Sequence, residues 1–410
     1  MRIDPSGPVY GEEEKLAAQK AAETWWNIEG EPTDAFKGAL GEYVGMKHVE
    51  LVNSGSAANL AALAALTTNY IPENRRLNKG DEVITTALSF PTTVSPIVYM
   101  GAIPVFVDAQ RGNWNANPEQ IKEMITSKTK AIMIAHALGN PFNVKEIQAI
   151  CEEFGLTLIE DNADALGAKW NGKRTGGFGH ISTVSFYPAH HISTGEGGAV
   201  MTNNFQIFRG LQSMINWGRD CYCAPGQDDT CGARYSQQQG ELPKGYDHKN
   251  TYTNFGFNMK MSQIQAAIGV EQMKRLPGFV NMRKFNHKFL EQIFGYFPNW
   301  FETTQPYEGA EMSPFGYVVK ITKQAPFTRR EFEQFLDEKG IRSRAFFCGN
   351  ITKLPVLSRG NRFEYRRHPN LSVSDDIMEN SFWIGVHPGI KDFEREYMAD
   401  NIFEFLDSHK

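Results

Sequence analysis

Two adjacent histidines, His190 and His191, precede a glycine-rich turn from Gly195 to Gly198. The residues from Ser185 onward alternate as in a short strand, and apolar residues resume after the turn. Glycine lets the backbone approach another backbone or a ligand closely. Imidazole exchanges protons near neutral pH. The pattern favours a proton-transfer site over a histidine pair that only packs in a core.

Three of the five cysteines fall within eleven residues, as Cys221, Cys223 and Cys231. They lie in a loop-like stretch rich in Gly, Pro and Asp, where such clustering indicates metal ligation. Reduced loop thiols are the alternative. The odd number of cysteines argues against a disulfide framework. The sequence alone cannot place Cys151 and Cys348 near the trio.

A turn of small residues, 53–56, follows a predicted strand at His48–Val52 and leads into an Ala/Leu helix that ends near Leu66. Free N–H groups and the positive end of the helix dipole at such a turn suit a phosphate. A common serine helix cap would have a similar sequence.

Short apolar runs such as Glu82–Thr86 and Ile103–Val107 alternate with helix-like segments such as Val144–Phe154. This alternation predicts an α/β fold with a mostly parallel sheet. Phe90, Asp161 and His190 each follow a predicted strand, and ligands bind beyond the carboxyl ends of such strands. Together with the small-residue turn, these side chains suit a flat, phosphorylated heteroaromatic cofactor. A carboxylate keeps a pyridine nitrogen protonated, which makes the ring a better electron sink. A helix cap is the alternative role for Asp161.

The chain has 410 residues, of which 41% are hydrophobic and 22% charged, and its formal net charge is −5. This composition is that of a globular protein, and the charge gives no electrostatic footprint for nucleic acid. No apolar run approaches the roughly 20 residues that span a bilayer. The polar N-terminus has no apolar signal core. We therefore expect a soluble, cytoplasmic protein without membrane or nucleic-acid partners.

We predict three regions along the chain. Residues 1–40 form a helical arm, residues 41–277 a large domain with a cysteine-bearing loop at 218–250, and residues 278–410 a linking helix and a small domain. Within them, the first helix is expected at Tyr10–Asn27. Pro277 is expected to separate a helix at Met261–Leu276 from a second at Gly278–Ile293.

The motifs together resemble the DegT/DnrJ/EryC1/StrS sugar aminotransferase family of the fold-type I aspartate aminotransferase superfamily. The resemblance spans nearly the whole chain and rests on five stretches: 53–57, 89–90, 159–167, 185–200 and 256–261. It implies an α/β fold-type I PLP-dependent transferase, with a mostly parallel sheet in the large domain and a smaller α+β C-terminal domain. It also implies a homodimer.

The resemblance assigns cofactor-binding roles to residues from all five stretches. Gly55, Ser56 and Ser185 are expected to hold the cofactor phosphate, with Asn258 contributing from the other subunit. Phe90 is expected to stack on the ring, Asp161 to pair with its nitrogen, and Asp164 to join the cofactor site.

One departure from the family decides the expected chemistry. His190 occupies the position of the lysine that forms the internal Schiff base, and imidazole has no primary amine. The sequence therefore resembles the branch of pyridoxamine phosphate (PMP)-dependent 3-dehydrases that act on CDP-linked 4-keto-6-deoxyhexoses in deoxysugar and O-antigen biosynthesis. His190 is then the catalytic acid/base that removes the C4′ proton before the C3 hydroxyl leaves.

That branch draws electrons through a [2Fe–2S] cluster, supplied by an NADH-dependent flavin iron–sulfur reductase. Cys221, Cys223 and Cys231 match three cluster ligands, but Ala163 occupies the fourth position and cannot bind iron. Three possibilities follow: the cluster is held by the three cysteines plus another group, it is lost or labile, or the substitution at Ala163 was introduced deliberately. Two further hypotheses are a cluster-independent dehydratase that regenerates PMP from glutamate, and a silent homologue that binds a nucleotide sugar.

Overall fold

The computed structural model describes residues 1–26, 29–224, 226–358 and 363–410. The α-helices are α1 Glu12–Ala22, α2 Glu31–Val44, α3 Gly55–Ala65, α4 Pro91–Tyr99, α5 Pro118–Met124, α6 Val144–Phe154, α7 Phe205–Ile215, α8 Gln263–Gly295, α9 Arg329–Glu338, α10 Pro355–Ser358, α11 Ser372–Asn380 and α12 Asp392–Asp407. The strands are β1 His48–Val52, β2 Glu82–Thr86, β3 Ile103–Val107, β4 Thr129–Ala135, β5 Thr157–Asp161, β6 Lys169–Trp170, β7 Lys173–Arg174, β8 Ile181–Ser185, β9 Gly198–Thr202, β10 Phe301–Glu302, β11 Ala310–Glu311, β12 Gly316–Ile321, β13 Ser343–Ala345, β14 Arg366–Arg367 and β15 Ser381–Gly385.

The central sheet has eight strands in the order β1-β9-β8-β5-β4-β2-β3-β14. Strand β9 is antiparallel to both of its neighbours. The strands from β8 to β14 pair in parallel. The predicted α/β class with a mostly parallel sheet is confirmed, and the carboxyl ends of β2, β5 and β8 meet at one edge.

Helices cover both faces of this sheet, and successive strand residues alternate between two apolar clusters. Val83 and Ile159 pack with α3 and α7, whereas Ile84 and Leu158 pack with α6. Because both faces are buried, the strands are almost continuously apolar rather than alternating in polarity. Cys151 lies in the second cluster, so it is a core residue.

The C-terminal part has its own antiparallel sheet, in the order β10-β12-β15-β13. An aromatic-rich cluster packs this sheet against α9, α12 and the end of α8, with Phe294, Phe332 and Phe405 among its buried members. Edge-to-face and stacked rings stabilise such a cluster beyond the area they bury. The predicted boundaries of the three regions remain predictions.

The predicted helix break at Pro277 is wrong, because α8 runs from Gln263 to Gly295 through that proline. Proline removes one backbone hydrogen bond and usually breaks or kinks a helix. Here Leu276, Phe279 and Val280 on either side are all buried in one cluster, and their packing outweighs the lost bond. The N-terminal helix α1 ends at Ala22, short of the predicted end at Asn27, which lies outside the described residues.

None of the helices in the described ranges is both long and apolar enough to cross a membrane.

Candidate active site

The turn between β1 and α3 has the geometry expected of a phosphate site. Ser54 caps α3, and its side chain accepts a hydrogen bond from the Ala57 N–H at 3.0 Å. A Cβ atom on Gly55 would lie 2.4 Å from Cβ of Ser185, the last residue of β8. Only glycine therefore lets the helix N-terminus approach β8 this closely. Gly55 and Ser185 therefore lie against each other, and the role of Gly55, Ser56 and Ser185 in holding the cofactor phosphate remains a prediction.

The carboxylate of Asp161, the last residue of β5, is buried and held by three donors. Its Oδ2 accepts from Asn59 Nδ2 at 2.9 Å and from Thr93 Oγ1 at 2.7 Å. Its Oδ1 accepts from the Ala163 N–H at 3.2 Å. Thr183 in turn donates to Asn59 Oδ1 at 2.6 Å. Residues from α3, α4 and β8 thus fix the orientation of a carboxylate at the sheet edge.

Phe90 immediately precedes α4, and its side chain is half-exposed at 52%. An aromatic ring left this open has room to stack on a planar ligand. Behind it, Cys348 Sγ donates to the Ser89 carbonyl at 2.8 Å. Burial raises the pKa of the Cys348 thiol to about 11, so this cysteine supports the loop that carries Phe90.

His190 lies five residues beyond β8, and its ring remains partly exposed. Its Nδ1 lies 3.4 Å from Oδ1 of Asp164, and its ring centroid lies 5.2 Å from that of Phe315. Burial, reinforced by the charge of Arg283, lowers the pKa of His190 to about 3. The imidazole is therefore neutral near pH 7, the form that accepts a proton.

The two histidines of the pair have different environments. His191 is buried, and its Nε2 lies 3.0 Å from the Ser313 carbonyl. Burial lowers the pKa of His191 well below its ordinary value. The imidazole of His191 therefore links the turn that carries His190 to the segment around Ser313.

Asn258 is exposed. Its side chain makes no hydrogen bond to the described residues of its own chain. Its neighbour Met259 accepts a hydrogen bond from the Asn53 N–H at 2.8 Å, and the segment pairs with Asn216. This segment therefore lies beside the phosphate turn. The contribution of Asn258 across subunits remains a prediction.

The three loop cysteines are free thiols. Cys223 Sγ lies 2.9 Å from Thr230 Oγ1, and Cys231 Sγ lies 3.9 Å from His248 Nδ1. Within the described ranges, no three His, Cys, Asp or Glu side chains are arranged to hold a metal ion. Three thiols and Ala163 therefore do not fit a cluster that takes four thiolates.

Three residues of the site were not predicted from the sequence: Asn59, Thr93 and Arg283. Asn59 lies one turn along α3 from Ser56, on a helix whose other buried residues are apolar. Arg283 lies on the same stripe of α8 as the buried Leu276 and Phe279. A polar residue on an apolar helical stripe is the sequence signal that could have identified the asparagine and the arginine.

A cavity of about 310 Å³ opens beside the His190 turn. Its lining is mostly apolar and comes from the N-terminal segment, α1, the turn and α8, with Tyr10, Ala18, Pro188, Thr194 and Ile268 among its residues. Its volume is within the range of ligand pockets, roughly 300–1,000 Å³.

Comparison with known proteins identifies the family. The model of the DegT/DnrJ/EryC1/StrS aminotransferase family matches residues 8–403. The chain belongs to this family. The family predicted from the motifs is thereby confirmed, together with the fold class.

Relatives in the family share most of their length with this chain. The lipopolysaccharide biosynthesis protein RfbH of Salmonella typhimurium is 44% identical over 98% of this chain and 92% of its own. The dTDP-4-dehydro-2,6-dideoxy-D-glucose 3-dehydratase of Saccharopolyspora spinosa is 42% identical over 98% and 86%. A GDP-4-keto-6-deoxymannose-3-dehydratase, solved with a trapped PLP-glutamate geminal diamine, is 28% identical, has a TM-score of 0.84, and covers 98% of this chain and 100% of its own.

The candidate site at the carboxyl ends of the strands fits the pyridoxal-type cofactor of the DegT/DnrJ/EryC1/StrS family. The N-terminus of α3, held against β8 at Gly55, directs the positive end of the helix dipole toward a phosphate. Phe90 offers an open ring face, and the fixed carboxylate of Asp161 suits a protonated pyridine nitrogen. His190 offers a proton-accepting nitrogen where a lysine amine would be needed to hold an aldehyde.

Proposed function

We propose that the protein is a PMP-dependent enzyme that removes the C3 hydroxyl of a nucleotide-linked 4-keto-6-deoxyhexose in deoxysugar biosynthesis. The observation that carries this proposal is the position of His190, whose Nδ1 lies 3.4 Å from Asp164 Oδ1 where the family's aminotransferases carry a lysine. When bound, PMP supplies a primary amine that condenses with the C4 ketone, and a ring that takes up electrons. Two relatives named as sugar 3-dehydratases support the assignment.

The residues of the chain have distinct roles in this reaction. The α3 N-terminus and Ser185 bind the cofactor phosphate, Phe90 orients the ring, and Asp161 holds the ring nitrogen in its protonated state. His190 accepts the proton from C4′ and returns a proton to the C3 hydroxyl, which leaves as water.

The nucleotide is proposed from the sequence resemblance, which favours CDP. The relatives act on dTDP-linked and GDP-linked sugars according to their names. Paired assays with CDP-, dTDP- and GDP-linked 4-keto-6-deoxyhexoses test this choice. A kcat/KM that is highest with the CDP sugar supports it, and a preference for another nucleotide overturns it.

For the two electrons that the 3-deoxy product requires, we propose glutamate rather than an iron–sulfur reductase. The thiols fall one short of a cluster, and a similar structure was solved with a PLP-glutamate adduct. Glutamate would restore the amine and become 2-oxoglutarate, while the enamine sugar hydrolyses to the 3-deoxy-4-keto sugar and ammonia.

The experiment that tests this function is turnover with PMP, glutamate and the CDP sugar as the only additions. We expect equal amounts of 2-oxoglutarate and a sugar product that retains the 4-ketone but lacks the C3 hydroxyl, both measured by mass spectrometry. A requirement for NADH and a reductase would overturn the glutamate route. Iron and sulfide content of anaerobically purified protein is the independent check, and we expect less than one iron atom per chain.

We also propose that the protein is a homodimer, because large aromatic side chains are exposed, one of them close in sequence to Asn258. Phe255 is fully exposed three residues from Asn258, and Trp25 and Trp26 are about two-thirds exposed. Exposed apolar groups of this size often mark interfaces. Analytical ultracentrifugation should give twice the 46.2 kDa chain mass, and Phe255→Asp should shift it toward the monomer. A monomeric wild-type protein overturns this proposal.

No PMP absorbance on the protein after incubation and gel filtration would favour a silent homologue instead.

A further inference from the structure

A buried arginine on α8, Arg283, contacts the turn that carries His190. Its side chain donates to the carbonyls of His190 at 2.9 Å and Ala189 at 3.2 Å. It also donates to the Phe315 carbonyl at 3.1 Å. A single guanidinium therefore fixes the backbone of His190 against the segment that follows residue 313.

Among the described residues, the charge of Arg283 has no close counter-ion. In the described part of the chain, no carboxylate lies within 4 Å of its guanidinium. A buried charge is costly unless something compensates it. Asp164 is the acidic side chain that interacts with Arg283 electrostatically, and it also adjoins His190.

The imidazole of His190 faces Asp164 with an unused nitrogen. Its Nδ1 is buried and lacks a well-aligned hydrogen bond among the described residues. Asp164 Oδ1 lies 3.4 Å away, and the backbone of Ala163 also interacts with the ring. Catalytic hydrogen bonds are often long before ligands bind and shorten in the complex. A small movement of either side chain would close this contact.

We propose that Asp164 and Arg283 are positioning residues for His190, with Asp164 selecting which imidazole nitrogen carries the proton and Arg283 favouring the ionised Asp164. The proposal, which rests on the dehydration function above, gives Asp164 a role beyond the cofactor site.

The donors and acceptors of Asp164 and His190 decide which tautomer forms. An ionised Asp164 can only accept, so it selects the tautomer with a proton on Nδ1 and leaves a lone pair on Nε2. A protonated Asp164 can donate to Nδ1, which leaves the proton on Nε2 and removes the base. The ionisation of Asp164 thus switches His190 between its two tautomers.

The charges around this pair support a switch near neutral pH. Burial raises the pKa of Asp164 to about 8, the neighbouring Asp161 carboxylate adds to the rise, and Arg283 opposes it. His191 and His387 also face Arg283, and burial lowers the pKa of each, so both are neutral in this range. Arg283 is therefore the cation that favours the ionised Asp164.

The pH profile of C4′ proton exchange tests the proposal. In wild type we expect the rate to rise with pH, with a midpoint near 8. Asp164→Asn should abolish this rise. Arg283→Met should move it to higher pH and lower the rate at pH 7 roughly tenfold, within the range of general acid–base effects. Arg283→Lys keeps the charge and should leave the midpoint in place.

The matched control is Arg366→Met, because Arg366 pairs with the buried Glu82 at the far edge of the sheet. It should leave the pH midpoint unchanged. An Asp164→Asn enzyme with the wild-type profile would overturn the proposal. So would an Arg283→Met enzyme that loses rate without any movement of the midpoint, since that result means a structural role only.

A measurement without activity separates this proposal from the proposed function. NMR of the cofactor-free, full-length protein with ¹⁵N-labelled histidine reports the tautomer of each imidazole. The signals of His190 are those that are absent from the spectrum of His190→Gln. We expect the tautomer to change from Nε2–H to Nδ1–H as pH rises through 8 in wild type, and not in Asp164→Asn. An unchanged tautomer overturns the switch even if the enzyme is active. A tautomer change without any C4′ exchange overturns the function alone.

Discussion

The side-chain amide of Asn59 donates to the carboxylate of Asp161 at 2.9 Å, while its oxygen accepts from Thr183 at 2.6 Å. Asn59 therefore links strands β5 and β8 through helix α3, and it fixes the group expected to pair with the cofactor nitrogen. Such supporting contacts decide how well a reactive group is oriented.

We predict that Asn59→Leu weakens PMP binding about tenfold, since losing one hydrogen bond to a charged group costs roughly 1.5 kcal/mol or more. Titration calorimetry measures the Kd. Gln148→Leu is the control, because that amide donates to the Phe178 carbonyl away from the site. Equal Kd values for Asn59→Leu and wild type would contradict the role of Asn59.

The contact between Gly55 and Ser185 predicts a phosphate-specific defect. Gly55→Ala places a Cβ 2.4 Å from Ser185 Cβ, so the turn must move and its N–H groups lose their alignment. We expect PMP affinity to fall at least about tenfold, the scale of one lost charge-assisted hydrogen bond. Pyridoxamine, which lacks the phosphate, should bind as to wild type.

Gly38→Ala is the control for this variant, because no atom lies within 4 Å of a Cβ there. Equal losses for PMP and pyridoxamine in Gly55→Ala would indicate general disruption instead of a phosphate site.

Replacing the acid/base with an amine should change how the cofactor is held. His190→Lys supplies the primary amine that imidazole lacks, in a half-buried position beside the cation of Arg283, which favours a neutral, nucleophilic lysine. We expect borohydride treatment with PLP to attach one cofactor mass to this variant and none to wild type. Loss of C4′ exchange should accompany the attachment. PLP that binds to the variant but never attaches would contradict the placement of residue 190 at the cofactor aldehyde.

Glu160 predicts a pH-dependent contribution to stability. It is fully buried beside His136 at 3.0 Å, and it accepts from the N–H groups of Gly176 and Phe178. Burial alone would raise the pKa of Glu160, but the hydrogen bonds outweigh burial and lower the pKa below its ordinary 4.5. A lowered pKa stabilises the folded state above 4.5, and the contribution is lost as pH falls below that value.

Glu160→Gln should therefore reduce the free energy of unfolding by about 3 kcal/mol at pH 7, because its amide faces backbone donors. The difference from wild type should shrink as pH falls below 4.5, as urea unfolding can measure. Glu153→Gln, at an exposed ion pair with Lys122, should have little effect at either pH. A deficit that does not change with pH would contradict the ionised state of Glu160.

Much of the fold was predictable because strand and helix periodicities are local. The strands at Glu82–Thr86 and Ile103–Val107 and the helix Val144–Phe154 match the predicted bounds. The continuation of α8 through Pro277 was not predictable, since it depends on burial against elements distant in sequence.

The same distinction holds for the candidate site. The positions of Phe90, Asp161 and His190 follow from strand ends, so topology brings them to one edge. Their supports do not follow, because Arg283 lies 93 residues from His190 in sequence, and only the packing of α8 brings it to the turn. The assignment of Asp164 to the cofactor likewise could not anticipate its approach to His190.

The most direct test of the central claim is release of tritium from C4′-labelled PMP in the presence of a CDP-4-keto-6-deoxyhexose. We expect sugar-dependent release by wild type and a loss of at least about a hundredfold in His190→Asn, the lower bound for removing a general base. Absence of release in wild type with CDP-, dTDP- and GDP-linked sugars, or undiminished release in His190→Asn, would contradict the central claim.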